Sequence, residues 1–316
     1  MNPDSRSYLR ASGLLTTAQL DYEDLNDLIS KAIHAKEFGA TENLLAGTEL
    51  AMMFLESSTR TKVSFEVALS RLGAKSVNFD AQSSSFSKGE TLKDTVATIG
   101  SYGFDGLIVR SAAVGAPDLI HNWTGLPVIN AGDGAHQHPT QALLDLMTLV
   151  EYFGSIENLA SLRVGLVGDV VHSRVARSLI DVLLKVGATV VLIGPATLLP
   201  MVSWEEKVER SNDFDKVLSN LDVAYMLRLQ QERISEGLLP SNSEYVLRYS
   251  MTKERFARLK DSAVMMHPGP VHPGMEIASH ITESTQSLIR TQTTNSVFVR
   301  MAVLAEIFRK GESLVA

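Results

Sequence analysis

The 316 residues contain no cysteine, which removes disulfides, thiolate metal sites and cysteine nucleophiles from consideration. Positive charge is also in short supply. Twenty-nine lysines and arginines against 36 aspartates and glutamates leave a net charge of −7, whereas a nucleic-acid binder needs a basic face. Any positive pocket for an anion must then be a local arrangement. Long apolar runs are missing as well. The most apolar stretch, Leu179 to Ile193, is interrupted by Asp181 and Lys185 and falls short of the roughly 20 apolar residues of a membrane span. The opening MNPDSRSYLRAS has no apolar region behind its charges and does not read as a signal peptide. A cytoplasmic protein with no membrane or nucleic-acid partner is expected, and the sequon Asn122-Trp123-Thr124 is then incidental. There is no repeat at solenoid period and no low-complexity tract.

The length suffices for two domains of roughly 150 residues, each with its own core. With 45% hydrophobic and 21% charged residues the composition is that of an ordinary folded protein. From Asp21 to about Phe38, Leu25, Leu28, Ile29, Ala32 and Ile33 share a helical face, with Asp21 and Asp24 as a capping box. LAMMFLE at 50–56, SVNFD at 76–80, GLIVR at 106–110 and LPVINA at 126–131 read as buried strands alternating with helices. A helix from about Thr140 to Phe153 leads to a second alternation, with strands RVGLVGD at 163–169, TVVLIGP at 189–195, VAYMLR at 223–228 and AVMMHP at 263–268. Helices are expected over SRVARSLIDVLLKVG, near 205–219, and from about Ser296 to Arg309. The fold class is α/β, with two doubly wound parallel-sheet domains and a cleft between them.

Two segments carry the chemistry. Ser58-Thr59-Arg60-Thr61 stands where a helix begins, since VSFEVALSRLG follows; unpaired N–H donors and roughly half a positive charge make such an end a seat for phosphate. GDGAHQHPTQALLD at 132–145 places His138 and Gln141 across another helix start. Each strand ends where such a residue begins, as a crevice at the carboxyl ends of parallel strands requires. RVGLVGDVVHSRVARS invites a dinucleotide-binding reading, but Gly165 and Gly168 do not complete GxGxxG, and Gly194-Pro195 ends the next strand without an acidic residue for a ribose. No histidine pair has convincing metal-ligand spacing. Met52, Met53, Met265 and Met266 sit in strands and read as core.

SSTRT at 57–61, SSSFSKGET at 83–91, GDGAHQHPTQALLD, GDVVHSRVARS at 168–178, LRLQQER at 227–233 and HPGP at 267–270 occur in this order, and together they resemble the catalytic chains of aspartate carbamoyltransferases. The resemblance implies a carbamoyl phosphate-binding domain over 1–150, an aspartate-binding domain over 151–290, and a C-terminal helix, 291–316, returning to the first. It implies transfer of the carbamoyl group of carbamoyl phosphate to L-aspartate, in pyrimidine synthesis, with no cofactor, metal or covalent intermediate. By the same resemblance Ser58, Thr59, Arg60 and Thr61 cradle the phosphate, Arg110 reaches phosphate and carbonyl oxygen, His138 and Thr61 polarise the carbonyl, and Gln141 holds the amide nitrogen. Arg174, Arg228 and Gln230 match positions for the two aspartate carboxylates, Gly269 and Pro270 line the site, and a cis bond precedes Pro270. Ser84 and Lys88 match residues lent by a neighbouring subunit, which implies a homotrimer. Relatives also work with zinc-bearing regulatory chains or dihydroorotase-like proteins.

Many relatives carry an arginine shortly after the HPGP-like turn, whereas this chain has His272-Pro273-Gly274, which leaves the shape of that turn open. Ornithine carbamoyltransferase, sharing the phosphate half, has an HCLP turn in place of His267-Pro268-Gly269-Pro270, and the Arg228/Gln230 pair suits a carboxylate better than an ammonium. Another amine acceptor, or a non-catalytic assembly subunit of the same fold, are the remaining alternatives.

Overall fold

The computed structural model describes residues 3–80, 91–201, 207–229, 241–309, 311 and 314. The chain divides into two compact units, one formed by Met1–Met147 with Thr294–Ala316, the other by Thr148–Thr293.

The first unit contains α1 (Pro3–Ser12), α2 (Tyr22–Phe38), β1 (Glu49–Phe54), α3 (Thr59–Arg71), β2 (Lys75–Asp80), α4 (Leu92–Gly100), β3 (Gly106–Ser111), α5 (Ala116–Thr124), β4 (Val128–Asp133) and the start of α6 (Pro139–Phe153). Its four strands form a parallel sheet in the order β2-β1-β3-β4. Every residue of β4 is buried, and its polar Asn130 and Asp133 are hydrogen-bonded to each other at 2.9 Å. The capping box at α2 is present: Asp24 N donates to Asp21 at 2.8 Å and Asp21 N to Asp24 at 3.1 Å.

The second unit contains β5 (Arg163–Val167), α7 (Arg174–Lys185), β6 (Thr189–Ile193), β7 (Val208–Ser211), α8 (Phe214–Val217), β8 (Val223–Met226), α9 (Asn242–Tyr249), α10 (Lys253–Phe256), β9 (Val264–Met266) and the start of α11 (Ile289–Phe308). Its five strands are parallel, in the order β7-β6-β5-β8-β9. Met52, Met53, Met265 and Met266 are all buried in strands. Arg255 anchors this unit: it forks onto Asp215 at 3.2 and 2.7 Å, donates to the carbonyls of Ser250 and Leu247, and lies 5.6 Å from the centre of the Phe214 ring.

Two expected elements need correction. The helix expected near 205–219 is replaced among the described residues by β7 and the single turn of α8. The residues of β7, Val208-Glu209-Arg210-Ser211, are half-buried or exposed, and they form a strand because β6 offers an open edge, which outweighs their charged composition. The last helix begins at Ile289, seven positions before Ser296. Its polar opening has no apolar period and is held instead by partners remote in sequence: Gln292 Oε1 accepts from His267 N at 3.0 Å, and Lys36 donates to Asn295 at 2.8 Å. Further along α11, the buried Glu306 receives Arg6 of α1 at 2.7 Å and Lys31 of α2 at 3.0 Å, tying this helix into the first unit. Residues 83–90 of the SSSFSKGET motif lie outside the described residues.

Candidate active site

In the first unit the sheet order sets the site. Because β1, β3 and β4 are neighbours, the segments leaving their carboxyl ends are neighbours too. Ser58, after β1, takes an extended N-cap conformation (φ −160°, ψ 97°) and places no side-chain oxygen on the first turn of α3. The N-terminal N–H donors of α3 are therefore not taken up by the cap, as an anion seat requires. Thr59 and Arg60 are exposed, whereas Thr61 is buried.

Arg110 is the penultimate residue of β3, in register with Phe54 of β1. Its Nη1 donates to the carbonyl of Ala131 at 3.1 Å, and its Nε lies 3.6 Å from Glu56, in the β1–α3 loop. Strand β4 ends in Asp133, wholly buried, whose carboxylate accepts from Gly115 N, Asn130 Nδ2 and Gln137 N and pairs with His136 at 3.0 Å. This network orders the turn leading to His138, which is buried and whose carbonyl accepts from Gln141 N at 3.0 Å at the start of α6. Gln141, also buried, donates from Nε2 to Asp145 Oδ1 at 3.0 Å. The structure thus brings Ser58–Thr61, Arg110, His138 and Gln141 to one edge of the four-stranded sheet.

One deeper charge borders this edge. Arg300, on α11, is only 2% exposed, stacks its guanidinium 4.8 Å from the centre of the Phe65 ring of α3, and donates from Nη1 to Ser296 O at 2.9 Å. Burial, and after it the charge of Arg110, pulls its pKa down to about 9, with Asp145 acting the other way; it remains a cation at neutral pH.

The second unit repeats the logic. Segments after the neighbouring strands β5, β8 and β9 carry Arg174, Arg228 and Gly269-Pro270. Ser173 caps α7 by accepting from Ala176 N at 3.1 Å, and Arg174, the first helical residue, is buried. Gly168, at the turn where a dinucleotide would approach, has its face covered: a Cβ there would lie 2.6 Å from the Tyr245 hydroxyl. Burial, then the carboxylates of Glu276 and Asp169, push the Tyr245 phenol up, so it stays protonated. The peptide bond before Pro270 is cis, and Gly269 N donates to His267 Nδ1 at 2.8 Å.

The departure at His272-Pro273 is absorbed by Glu276. This buried carboxylate accepts from Leu229 N at 3.0 Å and from His272 N at 2.6 Å, with His267 Nε2 at 3.5 Å. Burial pushes its pKa up, but the bond from His267 and those from the two backbone N–H groups outweigh it and hold the carboxyl below its ordinary value. One side chain thereby joins the residue after Arg228 to the turn after Pro270. Gln230, Ser84 and Lys88 lie outside the described residues. Glu56, Asp133, Asp145 and Glu276 were not singled out from the sequence; of these only Asp145 had a local signal, its i,i+4 spacing from Gln141. Among the described residues no group of three or more His, Asp or Glu could hold a metal ion, and no helix is long and apolar enough to cross a membrane.

Known proteins place this geometry. Residues 13–151 match the family model of the aspartate/ornithine carbamoyltransferase carbamoyl-P binding domain, and residues 160–307 that of the Asp/Orn binding domain. The chain belongs to the aspartate/ornithine carbamoyltransferase family. Within it, the chain is 45% identical over 308 residues to the aspartate carbamoyltransferase catalytic subunit of Frankia casuarinae, covering 95% of this chain and 96% of that one. It is 48% identical over 262 residues to that of Thermobifida fusca, covering 82% of each. Among carbamoyltransferases of known structure, aspartate transcarbamoylase from Trypanosoma cruzi in complex with carbamoyl phosphate and aspartate superposes with a TM-score of 0.85 at 29% identity, over 95% of this chain and 98% of that one. The same enzyme with N-(phosphonacetyl)-L-aspartic acid gives 0.85 at 30% identity, over 95% and 97%.

Proposed function

We propose that this chain transfers the carbamoyl group of carbamoyl phosphate to the amine of L-aspartate, giving N-carbamoyl-L-aspartate and phosphate, in pyrimidine synthesis. The observation that carries the reading is the gathering of Ser58–Thr61, Arg110, His138 and Gln141 beyond the carboxyl ends of three adjacent strands. Carbamoyl phosphate is a dianion with a carbonyl that becomes a tetrahedral oxyanion, so it needs phosphate donors and carbonyl polarisers on one rigid platform. Ser58, Thr59, Arg60 and Thr61 hold the phosphate; Arg110, His138 and Thr61 polarise the carbonyl; Gln141 takes the amide nitrogen. In the other unit Arg174, Arg228 and Gln230 fork onto the aspartate carboxylates, with Gly269 and Pro270 beside them. The neutral aspartate amine attacks the carbonyl carbon, the C–O bond to phosphate breaks, and the proton lost by the amine passes to the departing phosphate, which leaves as the HPO4 dianion neutralised by Arg60. Orientation and fixed charge supply most of the rate.

In this reading residues 1–150 and 291–316 serve carbamoyl phosphate, and 151–290 serve aspartate. The working unit is a cytoplasmic homotrimer in which Ser84 and Lys88 enter a neighbour's site, with room for regulatory or dihydroorotase-like chains around it.

The test is phosphate release from carbamoyl phosphate by the purified protein with L-aspartate, L-ornithine or putrescine offered separately, the carbamoylated product being identified by mass. Turnover with aspartate alone is expected. Turnover with an amine of another kind overturns the assignment of Arg228, and absence of turnover with all three overturns the reaction.

A further inference from the structure

Gln141 and Asp145 lie one helical turn apart on α6, so their side chains share a face. The bond from Gln141 Nε2 to Asp145 Oδ1, 3.0 Å, decides which end of the amide faces the ligand. An ionised carboxylate can only accept. It therefore takes the NH2 end of Gln141 and turns Oε1 away, and among the described residues Oε1 accepts no hydrogen bond. An outward amide oxygen complements the NH2 of a carbamoyl group; an outward amide NH2 would oppose it donor to donor. Were Asp145 protonated or absent, the amide could present either end.

Asp145 is wholly buried, and a buried carboxylate is costly without a compensating charge. Its acceptance of the Gln141 amide NH2 offsets part of that cost.

We propose that Asp145 is a positioning residue that holds the Gln141 amide oxygen toward the carbamoyl NH2. The proposal rests on the reading of this unit as the carbamoyl phosphate seat, and it adds a specificity device: the pair distinguishes carbamoyl phosphate from phosphates that lack the NH2 group.

Calorimetric titration with carbamoyl phosphate and with inorganic phosphate tests it. Asp145→Ala is expected to weaken carbamoyl phosphate binding about tenfold, the loss of one well-made hydrogen bond, while phosphate affinity stays within about twofold. The double variant Gln141→Ala/Asp145→Ala should be no weaker than Gln141→Ala alone, because Asp145 acts only through Gln141. If Asp145→Ala fails to fold, Asp145→Asn keeps the shape and can bond either end of the amide; a selective loss of about twofold to fivefold is then expected. Equal loss of both ligands, or additive losses in the double variant, overturns the proposal. Failure of the underlying reading looks different: the unmodified protein would bind neither ligand and release no phosphate.

Discussion

Replacing Glu276 by glutamine changes one atom's chemistry and leaves the shape intact. The carboxylate holds two backbone N–H groups, Leu229 at 3.0 Å and His272 at 2.6 Å, and both partners lie beside proposed aspartate-site residues. A glutamine has one acceptor oxygen, so one N–H keeps its partner and the other faces an NH2 group. An orphaned buried donor costs about 1–3 kcal/mol, and the charge-assisted character of the surviving bond is lost as well, so about 2–4 kcal/mol is expected for Glu276→Gln and more for Glu276→Ala. Urea unfolding should show a lower midpoint with an unchanged slope. Hydrogen exchange should accelerate at Leu229 and His272, and the KM for aspartate should rise while carbamoyl phosphate binding is unaffected. The pH dependence gives an independent check. Folding holds this carboxyl below its ordinary value of 4.5, so the unfolded chain binds more protons in acid. The stabilisation is complete above about 4.5 and is lost as the pH falls through the lower, folded value. The stability difference between the parent and Glu276→Gln should therefore shrink in acid. A cost below about 0.5 kcal/mol at neutral pH, or a difference that grows on acidification, would refute this account of the turn.

Arg60 is exposed, so Arg60→Ala should leave the unfolding midpoint unmoved and lower kcat for phosphate release by about 10²–10³-fold; a loss under about tenfold counts against its place at the departing phosphate. Gly106→Ala puts a Cβ 2.5 Å from the Phe308 ring and 2.9 Å from the Pro127 carbonyl, and should destabilise the first unit by about 1–3 kcal/mol in thermal unfolding. Adding Phe308→Leu should recover only part, because the ring can yield and the carbonyl cannot. Arg255→Lys cannot reproduce the fork onto Asp215 together with the bonds to Ser250 and Leu247 and should cost about 2–3 kcal/mol in chemical denaturation; no measurable change would mean that these bonds are replaced by water.

The residues that end strands were legible because a buried parallel strand is an apolar run and the polar residue that closes it stands out. Arg110 at the end of GLIVR and His138 after the β4 turn are found in this way. Elements held by remote partners were not. The start of α11 depends on His267 and Lys36, and β7 exists because β6 leaves an edge open. The site shows the same division. Thr61 and Arg174 announce themselves at helix starts, whereas Glu276 lies 47 positions from Leu229 and nothing local marks it as the hub of a turn. Asp145 lies between these cases, since its spacing from Gln141 was readable but its burial was not.

The chain leaves its first unit along α6 and re-enters it along α11, so the last strip of that unit's core, including Leu304 and Phe308 and the Glu306 anchor for Arg6 and Lys31, is translated after the whole of the second. At ribosomal speeds the four-stranded sheet waits roughly ten seconds for the helix that covers it. During that interval the nascent first unit exposes the apolar faces of α1, α2 and β3, while the second unit, being continuous in sequence, is free to fold. A chain released just past residue 293 would therefore carry one complete domain and one chaperone client.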